Sequence, residues 1–148
     1  MAGGGVYPVY GLTFKISTTG REGEPSAVIA DLETFSVSVD GNVVEWTPMD
    51  TEGWTRRIMT GKSITVSTAG KRNEGDPGND YIAGLAYKNG ADCDSKLEIG
   101  FPSGAKLAFG CVVNTTVAFG GGSTDVSALE AEFLSDGKPT FTPAPAGG

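Results

Sequence analysis

The sequence predicts a mostly β fold: an antiparallel β-sandwich or barrel with one short flanking α-helix at about residues 79–88, long loops and flexible termini. Three observations carry this prediction. Apolar side chains recur at every second position through most of the chain, the pattern of a sheet with one packed face and one face toward water or a partner. Gly and Pro are abundant, 23 and 8 of 148 residues, without a fixed repeat, so turns are many. Only one segment carries clear helix start and stop signals. A chain of this length fits one core, so residues 1–148 form a single domain, with an N-terminal arm over 1–11 and a flexible tail over 143–148.

The first strand comes from Leu12, Phe14 and Ile16, which alternate with Thr13, Lys15 and Ser17. Phe35, Val37 and Val39 form the next, and Asp40-Gly41-Asn42 reads as a tight turn returning through residues 43–46, because these residues tolerate positive φ. Ile64 and Val66 continue the period, as do Leu97, Ile99 and Phe101. Residues 107–119 make the longest run, joined to the preceding strand through Pro102-Ser103-Gly104. This succession of neighbours is a meander rather than a set of parallel crossovers.

Asp76-Pro77 supplies an N-cap and a proline at the first helical position, and Asn89-Gly90 supplies the stop. Ile82, Leu85 and Ala86 lie on one side, and so short a helix needs the sheet to hold it. Residues 126–134 read either way. Ser127 and Glu130 have capping-box spacing, yet Leu129, Ala131 and Phe133 alternate with Glu130 and Glu132, and the turn at 135–139 suits a hairpin into residues 140–142. Residues 18–31, 47–61 and 69–78 read as loops, and long loops in a small domain exist to touch something.

The chain has no His, which removes Ser/His/Asp hydrolysis, Cys/His proteolysis and His-ligated zinc. Its 18 Asp+Glu outnumber 11 Lys+Arg, giving a net charge of -7, opposite to a surface that grips phosphates. The start of the chain lacks the basic and apolar regions of an export signal, and no apolar run approaches the ~20 residues of a spanning helix. This predicts a protein made as a soluble cytoplasmic chain, and it favours free thiols for Cys93 and Cys111, which are too few for a secreted disulfide framework. Cys93 lies between Asp92 and Asp94, which disfavour a thiolate, and Cys111 falls on the apolar side of the longest strand. Asp76, Asn79, Asp80, Asp92 and Asp94 offer oxygen ligands, but without the spacing, the central Gly or the final Glu of a calcium loop. No metal and no cofactor is expected, and no pair of carboxylates stands out for glycoside hydrolysis.

The order of these elements is similar to that of phage tail tube proteins, also called major tail proteins. The resemblance rests on Phe35-Ser-Val-Ser-Val-Asp-Gly41, Trp54-Thr-Arg-Arg57, Gly61-Lys-Ser-Ile-Thr-Val-Ser67, Gly78-Asn-Asp-Tyr-Ile-Ala-Gly-Leu85, Leu97-Glu-Ile-Gly-Phe101 and the closing run from Glu130 to Phe141 around Gly137-Lys138-Pro139. It covers about residues 13–142, and its weight lies in the order rather than in any one motif. It implies a β-sandwich or small barrel with one flanking helix, six copies joining their inner strands into a ring barrel, and rings stacking into a tube through which DNA passes without specific binding. It also implies a strand for residues 126–134. Partners would be further copies of the chain, a tape-measure protein, a tail terminator and baseplate or tail-tip proteins. The place would be the virion tail, after synthesis in the host bacterial cytoplasm. The immunoglobulin-like decoration domain of some relatives does not follow Pro143.

Within that resemblance, Glu98, Glu130 and Glu132 are lumen-facing candidates, although exposed carboxylates on an antiparallel sheet are common in any protein. Trp54, Arg56, Arg57, Lys71 and Arg72 are candidates for loops between rings or subunits, since Trp and Arg are enriched at interfaces. Against this stands a plainer reading of the last two, beside Glu74 and Asp76, as a solvated mixed-charge loop. A second function class is a carbohydrate-binding or adhesion module with Trp46, Trp54 or Tyr87 as its platform.

Overall fold

The structure, a computed structural model, describes residues 6–143. Eight strands and one helix follow in order: β1 (Thr13–Ile16), β2 (Ala27–Val28), β3 (Leu32–Trp46), β4 (Arg56–Lys71), α1 (Pro77–Gly84), β5 (Asp94–Gly100), β6 (Lys106–Val117), β7 (Ala128–Ser135) and β8 (Thr140–Thr142). They form one antiparallel sheet in the order β2-β1-β5-β6-β7-β4-β3, with β8 also beside β6. Its outermost strands, β2 and β3, are separated in sequence only by residues 29–31, so the sheet has to roll back on itself. The roll is visible where the Phe14 ring on β1 meets the Phe35 ring on β3 edge-to-face, centroids 5.0 Å apart. At the start of β3, Gly70 of the neighbouring β4 has no Cβ and so leaves room for the backbone of Asp31 and Leu32. The mostly β, sandwich-like class expected from the alternation is the observed one.

The alternating residues enclose the core: Ile16, Val66, Leu97, Phe109, Cys111, Leu129 and Phe133 are buried. Asp76 caps α1, its carboxylate accepting from the Asn79 N–H at 3.0 Å, with Pro77 in the first turn. Ile82, Ala83 and Leu85 then pack into the core cluster. A 3₁₀ turn, Leu85–Tyr87, continues the helix to about the expected length. Residues 128–135 are a strand, resolving the ambiguous stretch in favour of alternation.

Four expectations are corrected. The strands are not a simple meander of sequence neighbours, because β1 pairs with β5 and β4 with β7. Asp40-Gly41-Asn42 is not a turn: β3 runs straight through it for 15 residues, and Gly41 has no positive φ. The chain reverses at residues 47–55 instead, where Glu52 and Gly53 take left-handed φ of 54° and 89°. All three loops are shorter than expected, because residues 27–28 form β2 and residues 56–61 and 69–71 belong to β4. The corner at 136–139 does not fold β8 back on β7: both pair antiparallel with β6, so both run the same way along one edge of that strand. Residues 1–5 of the N-terminal arm and 144–148 of the tail lie outside the described residues. No helix among the described residues is long and apolar enough to cross a membrane.

Candidate assembly surface

In an antiparallel ladder, directly paired residues share a face, so the register locates every strand side chain. The core face takes Val66, Phe133, Val113, Phe109 and Leu97, and the opposite face takes their neighbours. On that opposite face lie Glu98 and Lys96 of β5, Glu130 and Glu132 of β7, and Ser63, Thr65 and Ser67 of β4. Glu98, Glu130 and Glu132 therefore lie on one face spanning three strands, with the partly exposed pair Val112 and Leu134 on the same face. Glu98 pairs across to Lys15, and Glu132 accepts from the Asn114 amide at 3.1 Å. Lys15, Lys71, Lys96 and Lys106 stand on this face among Asp40, Asp94, Glu98, Glu130 and Glu132, so its charge is close to balanced. The acid excess of the chain sits mainly in loops and turns.

One loop crosses this face. Arg21, from the segment after β1, reaches over β6: Nη1 donates to Asp136 at 2.7 Å, and Nη2 donates to the Cys111 carbonyl at 3.0 Å and lies 3.2 Å from Asp94. Its stem passes over Gly110, where a Cβ would sit 2.9 Å from Cδ, so a side chain there would displace the Arg21 stem.

The candidates for subunit contacts separate into two groups. Trp54 lies at the far end of the β3–β4 hairpin and is 76% exposed. Beside it, Arg56 stacks on Trp46 with its guanidinium carbon 5.6 Å from the ring centroid, and Arg57 pairs with Glu45 at 2.6 Å. Lys71 and Arg72 lie at the other end of β4, about 50 Å away at the ordinary rise of a strand. Lys71 pairs with Glu33 at 3.4 Å.

Arg72 is not a free loop cation. Its Nη1 donates to Asn79 at 2.9 Å and to Asp80 at 2.8 Å, and this bond holds the Asp80 carboxyl below its ordinary range. Asn79 itself is fully buried with its whole amide used: the oxygen accepts from Arg72 and the Asn73 N–H, and the nitrogen donates to the carbonyls of Ala30 and Lys71. This amide joins the roll of the sheet to the start of α1, a role that the sequence suggests only through its place three residues after an N-cap. Of the oxygen ligands considered for calcium, Asp76, Asn79, Asp80 and Asp94 are engaged by protein donors, and no metal-holding group of His, Cys, Asp and Glu occurs among the described residues.

The two cysteines are free; burial pushes the Cys111 thiol up to about 12, while the Cys93 thiol donates to the Lys88 carbonyl at 3.3 Å. Trp46, Trp54 and Tyr87 do not form one platform, because Tyr87 sits beyond α1 at the end of the molecule away from both tryptophans.

The feature that alternation alone did not reveal is the arm. β7 covers β4 only from Thr65 to Lys71, so β3 and β4 continue past residue 64 as an uncovered two-stranded ribbon about 30 Å long. Val39, Val43, Val44, Ile58 and Met59 on it are each about half exposed. A lone ribbon with so much apolar surface is marginal in water and points to a partner.

The fold of this chain, a rolled antiparallel sheet with one helix, is similar to that of chains in three solved assemblies. A chain of the tail of an empty gene transfer agent particle with C6 symmetry shares it, with a TM-score of 0.74 at 18% identity over 93% of this chain and 100% of that one. A chain of the native gene transfer agent virion gives 0.69 at 16% identity over the same shares. A chain of the tube-terminating cap of the anti-feeding prophage gives 0.63 at 11% identity over 97% of this chain and 95% of that one. No protein-family model and no curated protein matches the sequence.

Proposed function

We propose that this chain is a structural, non-catalytic subunit of a phage-type tail tube. Six copies close into a ring, and rings stack head to tail into a channel for DNA in the virion tail. The observation that carries this reading is the fold shared end to end with a chain from a tail of C6 symmetry. The surfaces support it. The polar sheet face, with Glu98, Glu130 and Glu132, lines the lumen, and its mixed charge gives passing phosphates neither a cationic groove to hold them nor a strong field to oppose them. The free edge of β3 and the uncovered arm, liabilities in a monomer, are satisfied by neighbouring copies. The tape-measure, terminator and baseplate or tail-tip proteins meet the tube inside and at its ends.

Electron microscopy of the concentrated full chain tests this reading. Six-fold rings and tubes are expected. A chain that stays monomeric at millimolar concentration, also after the other tail proteins are added, would overturn it.

A further inference from the structure

The arm changes sides along its length. From Phe35 to Gly41 every second residue of β3 lies on the core face, opposite Thr68, Val66, Ile64 and Lys62 of β4, and Ser36, Ser38 and Asp40 lie on the polar face. Between the pairs Asn42–Gly61 and Val43–Met59 the register shifts, leaving Thr60 as an extra residue on β4. The bulge is fastened from both sides: the Asn42 amide donates to Thr60 Oγ1 at 2.7 Å, and that hydroxyl donates to the Asn42 carbonyl at 3.0 Å. Beyond it Val43 and Met59 still lie on the core side, but the Glu45–Arg57 ion pair ends the stripe there. The apolar side is now the other one, where Val44 faces Ile58 and Trp46 lies under Arg56. The proximal arm is apolar on the core side, and the distal arm is apolar on the polar side.

One uncovered stripe would call for one partner surface; two stripes on opposite faces cannot be covered by the same flat surface. A tube made of a single chain needs two kinds of unlike contact, one that closes a ring and one that runs on along the axis. The end of the molecule away from the arm carries a matching surface for the second kind. There Tyr87 and Phe119, 74% and 70% exposed, flank a cleft between α1 and the segment after β6, with Glu74 at its rim. The distal stripe offers aromatic and aliphatic groups plus the Arg56 cation; the cleft offers aromatic walls, the Glu74 carboxylate, and an Arg72 whose charge is already paired with Asp80.

Resting on the tube reading, we propose that each arm bridges two further copies of this chain. The proximal stripe of Val37, Val39 and Met59 lies against the lateral neighbour in the same ring. The distal stripe of Val44, Trp46, Ile58 and Arg56 docks in the Tyr87–Phe119 cleft of a copy in the next ring, with Arg56 facing Glu74.

Assembly of the full chain, followed by electron microscopy and sedimentation, separates the contacts. The wild type reports on the tube reading itself: if it forms no rings, that reading fails. Given wild-type tubes, Val44→Ser/Ile58→Ser and Phe119→Ser should each yield closed rings that do not stack, and Val37→Ser/Val39→Ser should lose the rings. Unchanged circular dichroism controls for folding, which these exposed positions leave intact. Arg56→Glu should raise the concentration needed for stacking about tenfold, and Glu74→Arg in the same chain should restore it to within about threefold. Tubes from the distal variant, loss of rings in both stripe variants alike, or no rescue by the charge exchange would overturn the two-sided arm while leaving the tube reading in place.

Discussion

Two stretches of the same hairpin, one inside the body and one outside it, obey the same alternation and meet opposite fates. Val66 of β4 and Val37 of β3 are cross-strand partners, yet Val66 is fully buried and Val37 is 45% exposed; two pairs further out, Val39 is 59% exposed. The strand pairing is alike in both. What differs at that pair is the neighbour: β4 has β7 on its other side, whereas β3 is the edge strand, and further out only the corner at 135–139 lies beside Val39 and Ile64. Ladder hydrogen bonds set the shape of the arm, whereas burial supplies most of the stability of the body. How much an apolar residue of this hairpin contributes to folding therefore depends on which strand it stands on and on how far along it lies.

The sharpest way to test that division is at its stable end. Phe133→Ala empties a fully buried site on β7 and should cost about 3–5 kcal/mol in denaturant unfolding. Asn79→Ala leaves two carbonyls and one N–H without their partner and the Arg72 guanidinium with Asp80 alone. It should cost about 2–4 kcal/mol by the same measurement, and the loss should appear as faster hydrogen exchange in α1 rather than in the arm.

A smaller effect comes from Cys111. An ordinary thiol ionises near 9 in the unfolded chain, while the buried one keeps its proton up to about 12. The folded state therefore holds the extra proton between those values, and stability falls as pH rises through them, by at most about 1.4 kcal/mol per pH unit. Cys111→Val should flatten that alkaline limb of the stability profile. The smallest change is expected in the arm: Val39→Ser should alter monomer stability by less than about 0.5 kcal/mol. A cost above 2 kcal/mol there would break the comparison, because it would mean that the arm is packed within the monomer.

Legibility in the sequence follows the same line. β1, β5, β6 and α1 lie where alternation and capping put them, because in the body each pattern has one buried face to satisfy, whereas the pattern at β7 reads either way and only the resemblance implies a strand. The arm was misread at Asp40-Gly41-Asn42, where turn chemistry and periodicity conflict. Gly41 keeps step with Phe35, Val37, Val39 and Val43, and that unbroken period of two was the signal for a continuous strand. The three glutamates proposed for the lumen fell on one face because period two fixes a face without fixing neighbours. Arg72 was hidden because its role depends on Asn79 and on the return of the sheet at Ala30 and Lys71, a meeting in space that local spacing does not encode. The corner at Gly137-Lys138-Pro139 reads as a reversal for the same reason, since only the length of β6 shows that its edge has room for two strands in line.

The pairing of β1 with β5 also orders events in time. Phe14 and Ile16 find their ladder partners at Ile99 and Leu97, more than half a chain length away, whereas the arm is made wholly of contacts within one hairpin. Local ribbons close in microseconds, and sheets of distant strands close far more slowly. During synthesis the arm can form before the strand that completes the body has left the ribosome. In the proposed assembly, each copy thus carries its connector ready on an unfinished body, and slow closure of the sheet sets the moment at which that connector gains a complete surface to join.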